Sequence, residues 1–307
     1  MNQDTSAIPA NMRLPNFFPL LKESLQTYKA KWKTLLGLSL ASYGIALISA
    51  AVSAIIGSIA LSFAAEILFL ILAIIMMLAI AVLTALLGCW LQAAAIIVLK
   101  DRGEMFGIRQ AMHRGKPFAL PYFWITLLLI PTLFLGYIFF LVPGIIFSVW
   151  FSFARYVVLD GKEKGISALA KSREWTRGFF WSVLLLMLLG MFSIFFADAV
   201  FSSFKQLPSG NLLYTAASIL LAPLSTIYYY LIFDHLKKIK GGAAASATAK
   251  QKNIFTSLIA LGTILIICLA GLLSYFAPEI KNFYETELPK YQSQNGNRLP
   301  PLPQNPI

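Results

Sequence analysis

The sequence predicts an all-α membrane protein, a polytopic transmembrane helix bundle of six core spans in three elbow-helix-plus-hairpin units, followed by a seventh C-terminal span. Three observations lead there. The 307 residues include several apolar stretches of the roughly 20 residues that a helix needs to cross a bilayer. Only 12% of residues are charged, against about 25% in an ordinary soluble domain, and the mean hydropathy is +0.74. A basic amphipathic stretch running into an apolar one recurs three times along the chain. Short strands of alternating polarity, which would mark a membrane β-barrel, are missing from the sequence.

Residues 1–13 are polar and are expected to be disordered. No apolar core with a small-residue cleavage site follows, so no signal peptide is expected. The membrane domain is placed over residues 14–240. Its first stretch, LPNFFPLLKESLQTYKAKW, sets Phe17, Leu21, Leu25, Tyr28 and Trp32 at helical spacing with Lys22, Lys29 and Lys31 off that stripe. A helix of this pattern lies in the membrane interface. The first span covers about residues 34–61 and the second about 67–98, with Glu66 marking the turn. A polar stretch follows at 100–117. The third and fourth spans share residues 120–159, and Pro143–Gly144 marks a turn or helix start between them. Fewer than 40 residues for two crossings fit either two short spans or a re-entrant hairpin.

The stretch ALAKSREWTRGFFWSV at 168–183 interrupts this apolar context with four charges and is expected to be another interfacial helix. The fifth span runs over about 179–196, and Asp198 falls at an outer turn. The sixth span, about 212–233, carries Pro223 as a kink and ends at Asp234, expected to cap the helix. Residues 241–253 resemble a flexible linker, 254–276 a seventh span, and 277–307 a Pro-rich extracytoplasmic tail.

The net charge of +12 would suggest nucleic acid as the partner of a soluble chain. Here the cations gather between spans, as the positive-inside rule predicts, so no nucleic-acid partner is expected. The N-terminal helix and the segments 100–116, 162–177 and 237–252 hold five Lys or Arg each, twenty on one side, against Lys205, Lys281, Lys290 and Arg298 on the other. This asymmetry places the N-terminus in the cytoplasm and the tail outside, in the cytoplasmic membrane. Arg155 stands apart, near the end of the fourth span. Cys89 and Cys268 lie in apolar runs without a CxxC partner and are expected to be buried, with neither disulfide nor zinc.

Internal similarity gives the repeat. In KAKWKTLLGLSL, LPYFWITLLLIP and RGFFWSVLLLML, Trp32, Trp124 and Trp181 coincide. The second and third copies align without a gap, Ala111 on Ala168, Arg114 on Lys171, Lys116 on Arg173 and Phe123 on Phe180. Each copy then becomes an elbow helix, a span out and a span back. On this reading Lys171, Arg173 and Arg177 face anionic headgroups, Gly178 permits the bend, and Trp32, Trp124, Trp175 and Trp181 anchor the interface, where an apolar ring keeps a wet N–H.

Residues 141–186 carry a further likeness in the Pro143–Gly144 pair, SFARYVVLD at 152–160, Gly165 with Ala168, and SREWTRGFFW at 172–181. This stretch resembles the bacterial membrane family related to the membrane domain of glycerophosphoryl diester phosphodiesterases, whose members are mostly of unknown function. The resemblance implies an architecture more than an activity. It is specific over about 45 residues and loose over 14–240, and the seventh span looks like an addition.

Catalysis finds little footing. His113 and His235 are the two histidines, both at helix ends, and GxSxG, HExxH and P-loop patterns are absent from the sequence. An enzyme would need them to converge with Asp160 or Asp234. No cofactor or metal is expected. Arg155 lies near the end of the fourth span, able to snorkel or to contact a ligand. The Tyr228–Tyr230 run is expected to be an interfacial belt. The expected function is therefore non-enzymatic, organising membrane lipids through anionic headgroups at the cytoplasmic face, or organising a membrane-protein partner. The alternative is a carrier for a lipid or small amphiphile, with Arg155 and a Pro143–Gly144 hinge at its site.

Overall fold

Apolar runs that lack turn residues set the helix lengths in the computed structural model, which describes residues 14–63, 67–101, 107–161, 163–206, 209–240, 248–283 and 286. The turn at Glu66, the N-terminal residues 1–13, the linker residues 241–247 and the tail after 286 lie outside the described residues. Among those described, the elements are α1 (Phe17–Ser62), α2 (Ile67–Lys100), α3 (Ile108–Phe139), α4 (Leu141–Phe151), α5 (Ala154–Leu159), α6 (Ile166–Thr176), α7 (Phe180–Ser202), α8 (Gly210–Ile239) and α9 (Ala249–Asn282), with a 3₁₀ turn at Ser203–Gln206. Seven spans are long and apolar enough to cross a membrane, α4 and α5 forming one of them over Leu141–Leu159. The chain is an all-helical multi-pass membrane protein.

Several boundaries differ from the sequence expectation. The interfacial stretch and the first span merge into the 46 residues of α1, about 70 Å at 1.5 Å per residue and more than twice an apolar bilayer core. Likewise α3 runs unbroken through Pro117, Pro121 and Pro131. The stretch 168–183, by contrast, is broken, because Gly178 adopts φ +86° between α6 and α7, a conformation glycine takes without a Cβ penalty. The turn between the third and fourth spans falls at Phe140, the single extended residue between α3 and α4 (φ −171°, ψ 157°), and not at Pro143–Gly144. Pro143 sits in the first turn of α4, where its missing N–H has no helical partner to lose. Helix α9 begins inside the expected linker and continues past the expected end of its span.

Lipid tails are as apolar as leucine, so spans associate by close packing at small residues. Four crossings follow that rule. A Cβ on Gly115 would meet the Ala94 backbone at 2.9 Å, joining α2 to α3. A Cβ on Gly136 would meet Gly144 Cα at 3.0 Å in the α3–α4 hairpin, and Gly190 of α7 lies under the Tyr228 ring of α8. A Cβ on Gly262 of α9 would collide with the Pro131 carbonyl of α3. Tyr228 and Tyr230 are therefore buried, the Tyr228 hydroxyl donating to Leu186 O at 2.8 Å, and they do not form a surface belt. Cys268 is exposed on α9 and Cys89 half-buried, so neither has the full burial expected of it.

One end of the bundle is tied by polar bonds. Lys31 Nζ donates to Val98 O (2.5 Å) and Asp101 O (2.7 Å), and Arg114 pairs with Asp101 at 3.1 Å. Lys237 donates to both Asp160 oxygens (2.6 and 2.7 Å), with Lys100 3.5 Å from the same carboxylate. His235 Nε2 lies 2.9 Å from Glu23 Oε2, and Lys240 donates to the carbonyls of Glu174 and Arg177. The α1 start, the α2, α5, α6 and α8 ends and the first turns of α3 thereby share one end.

Candidate functional site

Two cavities bring the polar residues of the spans together, one on each side of α4. The larger, about 810 Å³, is a groove between α4, α6 and α7 with Gln251 of α9 at its edge. Its floor is built locally. Gly165 (φ +56°) starts α6 and Gly178 ends it, so α6 lies as a short separate helix against the inner end of α4. Ser172, fully buried, fixes that contact by donating to Trp150 O (2.7 Å) and accepting from Phe153 N (3.2 Å) across the α4–α5 break.

Arg173 and Arg177 then project into the groove. The Arg173 guanidinium lies 4.4 Å from the Trp150 ring centroid, within cation–π range. Arg177 Nη1 is 3.8 Å from Glu174 Oε2, and Glu174 also accepts from Gln251 Nε2 at 3.3 Å. Beyond this charged end the walls are apolar: Val142, Ile145 and Ile146 descend α4, facing Phe180, Trp181 and Leu184 of α7. From Trp150 to Val142 the helix rises about 12 Å. The groove thus joins two cations and one carboxylate to an apolar cleft, within the roughly 300–1,000 Å³ usual for ligand sites.

The second cavity, about 320 Å³, opens among α2, α3, the fourth span and α8 and sets several polar side chains into a largely apolar lining. Arg155 lines it with Tyr122 of α3, whose ring centroid is 6.0 Å away, and with Gln92 of α2, Ser148 and Ser152 of the fourth span, and Thr226 and Tyr229 of α8. The α4–α5 break falls at Ser152–Phe153, two residues before Arg155, which is exposed at this cavity. Gln92 and Thr226 also border a smaller adjoining cavity of about 70 Å³ lined by Ser39, Ser42 and Tyr43 of α1.

Of the residues expected from sequence, Arg173, Arg177 and Trp181 meet in the groove, whereas Arg155 belongs to the second cavity and Lys171 borders neither. Trp181 is 77% exposed, and Trp32 and Trp124 also stand on the surface. Trp175 differs: it is 2% exposed, packed 5.9 Å from Phe233, and its Nε1 has no hydrogen-bond partner among the described residues. Pro143 and Gly144 start α4, and Gly144 packs on the Tyr137 ring. His113 is exposed on α3, and Asp234 pairs with Lys238 at 2.9 Å. Among the described residues no three His, Cys, Asp or Glu side chains converge as metal ligands would.

At the tied end, burial works against the Asp160 charge, but the hydrogen bond and charge of Lys237, with Lys100, outweigh it and hold the carboxyl below its ordinary range. Burial pushes the Lys240 ammonium down, the Glu174 carboxylate only partly restoring it. Trp150, Glu174, Gln92 and Thr226 were missed by sequence reasoning. For Gln92 and Thr226 the available signal was a polar side chain within an apolar span.

Comparison with protein-family models, curated proteins and solved structures finds no match to this chain. The likeness described for residues 141–186 rests on those residues alone.

Proposed function

We propose that the chain is a non-enzymatic integral membrane protein that holds and organises anionic lipid at the cytoplasmic face of a bacterial cytoplasmic membrane. The groove carries this reading: Arg173 and Arg177 at one end suit a phosphate, since guanidinium matches its geometry in paired hydrogen bonds, and the α4 and α7 walls suit an acyl chain. The tied, basic end then faces the cytoplasm with the N-terminus, and the tail after α9 lies outside. The three-unit plan belongs to the same proposal. Helix α6 is the third elbow, and the first turns of α1 and α3 take its place in the other two units.

A carrier for a small amphiphile is the second reading. The cavity at Arg155 favours it, because a carrier needs a site shared by several spans. Native mass spectrometry of the gently solubilised protein tests the first. Wild type is expected to retain phospholipid, and the Arg173→Ala/Arg177→Ala double variant to lose most of it, about tenfold or more for two charge-assisted contacts. Equal lipid retention by both overturns the groove reading. A co-purifying protein in place of lipid favours a partner scaffold instead.

A further inference from the structure

We propose that the open cavity at Arg155, among four spans, is a binding site for an oxyanion, the phosphate or carboxylate group of a ligand that enters between the helices. The inference uses no residue of the groove and stands or falls apart from it. Its starting point is an unneutralised charge. Arginine stays protonated at any relevant pH and presents five N–H donors. Holding such a charge among membrane spans is costly unless it is paired. Among the described residues no carboxylate pairs with Arg155, and the cavity lining contains neither Asp nor Glu. Tyr122 takes up part of that capacity, through its hydroxyl and through its ring at 6.0 Å, the outer limit of a cation–π interaction, and the remaining N–H donors are open to the cavity.

The neutral walls complete the case. The Gln92 amide and the Thr226 and Tyr229 hydroxyls have no hydrogen-bond partner among the described residues, yet all line the same cavity as Arg155. One cation ringed by unspent neutral donors is the chemistry of an anion site. A cationic ligand would meet repulsion and no counter-charge. The depth also fits a ligand entering from the tied end. Arg155 is four residues from the end of α5 and Gln92 eight from the end of α2, about 6 and 12 Å along their axes.

Titration of the detergent-purified, delipidated full chain, followed by calorimetry, tests the site with two probes: inorganic phosphate and dihexanoyl phosphatidic acid. The expected result is saturable binding of at least one probe to wild type. Arg155→Gln then weakens that binding roughly tenfold to a hundredfold, the range for losing charged hydrogen bonds. Arg155→Lys, a point charge without the planar fork, falls between. The groove variant Arg173→Ala/Arg177→Ala keeps Arg155-dependent binding. Arg155-dependent binding of phosphate assigns a soluble anion, and of phosphatidic acid alone a lipid headgroup; both support the site. Should Arg155→Gln fail to fold by circular dichroism, Gln92→Leu and Thr226→Val provide the test, each expected to weaken binding several-fold. Affinity unchanged in the variants that fold, or no binding of either probe to wild type, overturns the proposal.

Discussion

Ser172 shows how much one small side chain does in this fold. The fourth span breaks between α4 and α5, which leaves backbone groups of Trp150 and Phe153 without helical partners, and the Ser172 hydroxyl serves both. Removing it strands a buried carbonyl and a buried N–H in surroundings where water is scarce. Ser172→Ala is therefore expected to cost about 1–3 kcal/mol, more than the usual worth of one hydroxyl. Thermal or denaturant unfolding in detergent measures it, and a loss below a few tenths of a kcal/mol would mean the break is held by packing alone. None of this was legible in the sequence, where Ser172 is one polar residue among basic ones. The aromatic residues failed for a related reason. A Trp or Tyr beside charges suits a membrane interface and a helix junction equally; Trp175 went to the junction because Phe233 of α8 packs on it, and Tyr228 because Gly190 of α7 lies under its ring.

At the scale of elements, the lysines that mark topology in the sequence turn out to hold helix ends. Lys31 closes α2, Lys100 donates to Leu159 O at the end of α5, and Lys240 closes α6. Each satisfies carbonyls that have no intrahelical donor and sits at the negative end of a helix dipole. Asp160 links two of these ends with α8, and its depressed pKa makes that link sensitive to acid. A carboxyl whose folded pKa lies below its unfolded value contributes stability that is complete above the ordinary Asp value, about 3.9, and is lost as pH falls through the lower folded value. Wild type should thus hold its melting temperature, as far as Asp160 contributes, down to about pH 4 and lose it below. Asp160→Asn should be less stable at neutral pH by about 1 kcal/mol and lack that acid slope. Parallel melting curves for both proteins across pH 3–7 would show that the cluster carries no such linkage. Seven spans were legible from hydropathy because an apolar run of bilayer length has few alternatives. The continuity of α1 and α3 was not, since composition shifts at Trp32 and the prolines of α3 suggest breaks that packing against α2 and α9 overrides.

For the whole molecule, the distribution of charge and the odd number of spans make one claim together. Polar bonds draw the α1 start and the α2, α5, α6 and α8 ends to one end of the bundle, where nearly all the described Lys and Arg lie. Lys205 is at the opposite end, 3.7 Å over the Tyr214 ring, where Tyr214 donates to Asp198 at 2.7 Å. If the proposed orientation holds, an impermeant maleimide applied to intact cells reaches a cysteine placed at Lys205 but not one placed at Arg177. Both positions need a background in which the exposed Cys268 is replaced by Ser, because α9 presents that thiol on its surface. After the membrane is opened, Arg177→Cys should label as well. Labelling of Arg177→Cys in intact cells, with Lys205→Cys protected, would invert the molecule. The lipid groove and the entrance to the Arg155 cavity would then face outward, and a cytoplasmic source for either ligand would be excluded.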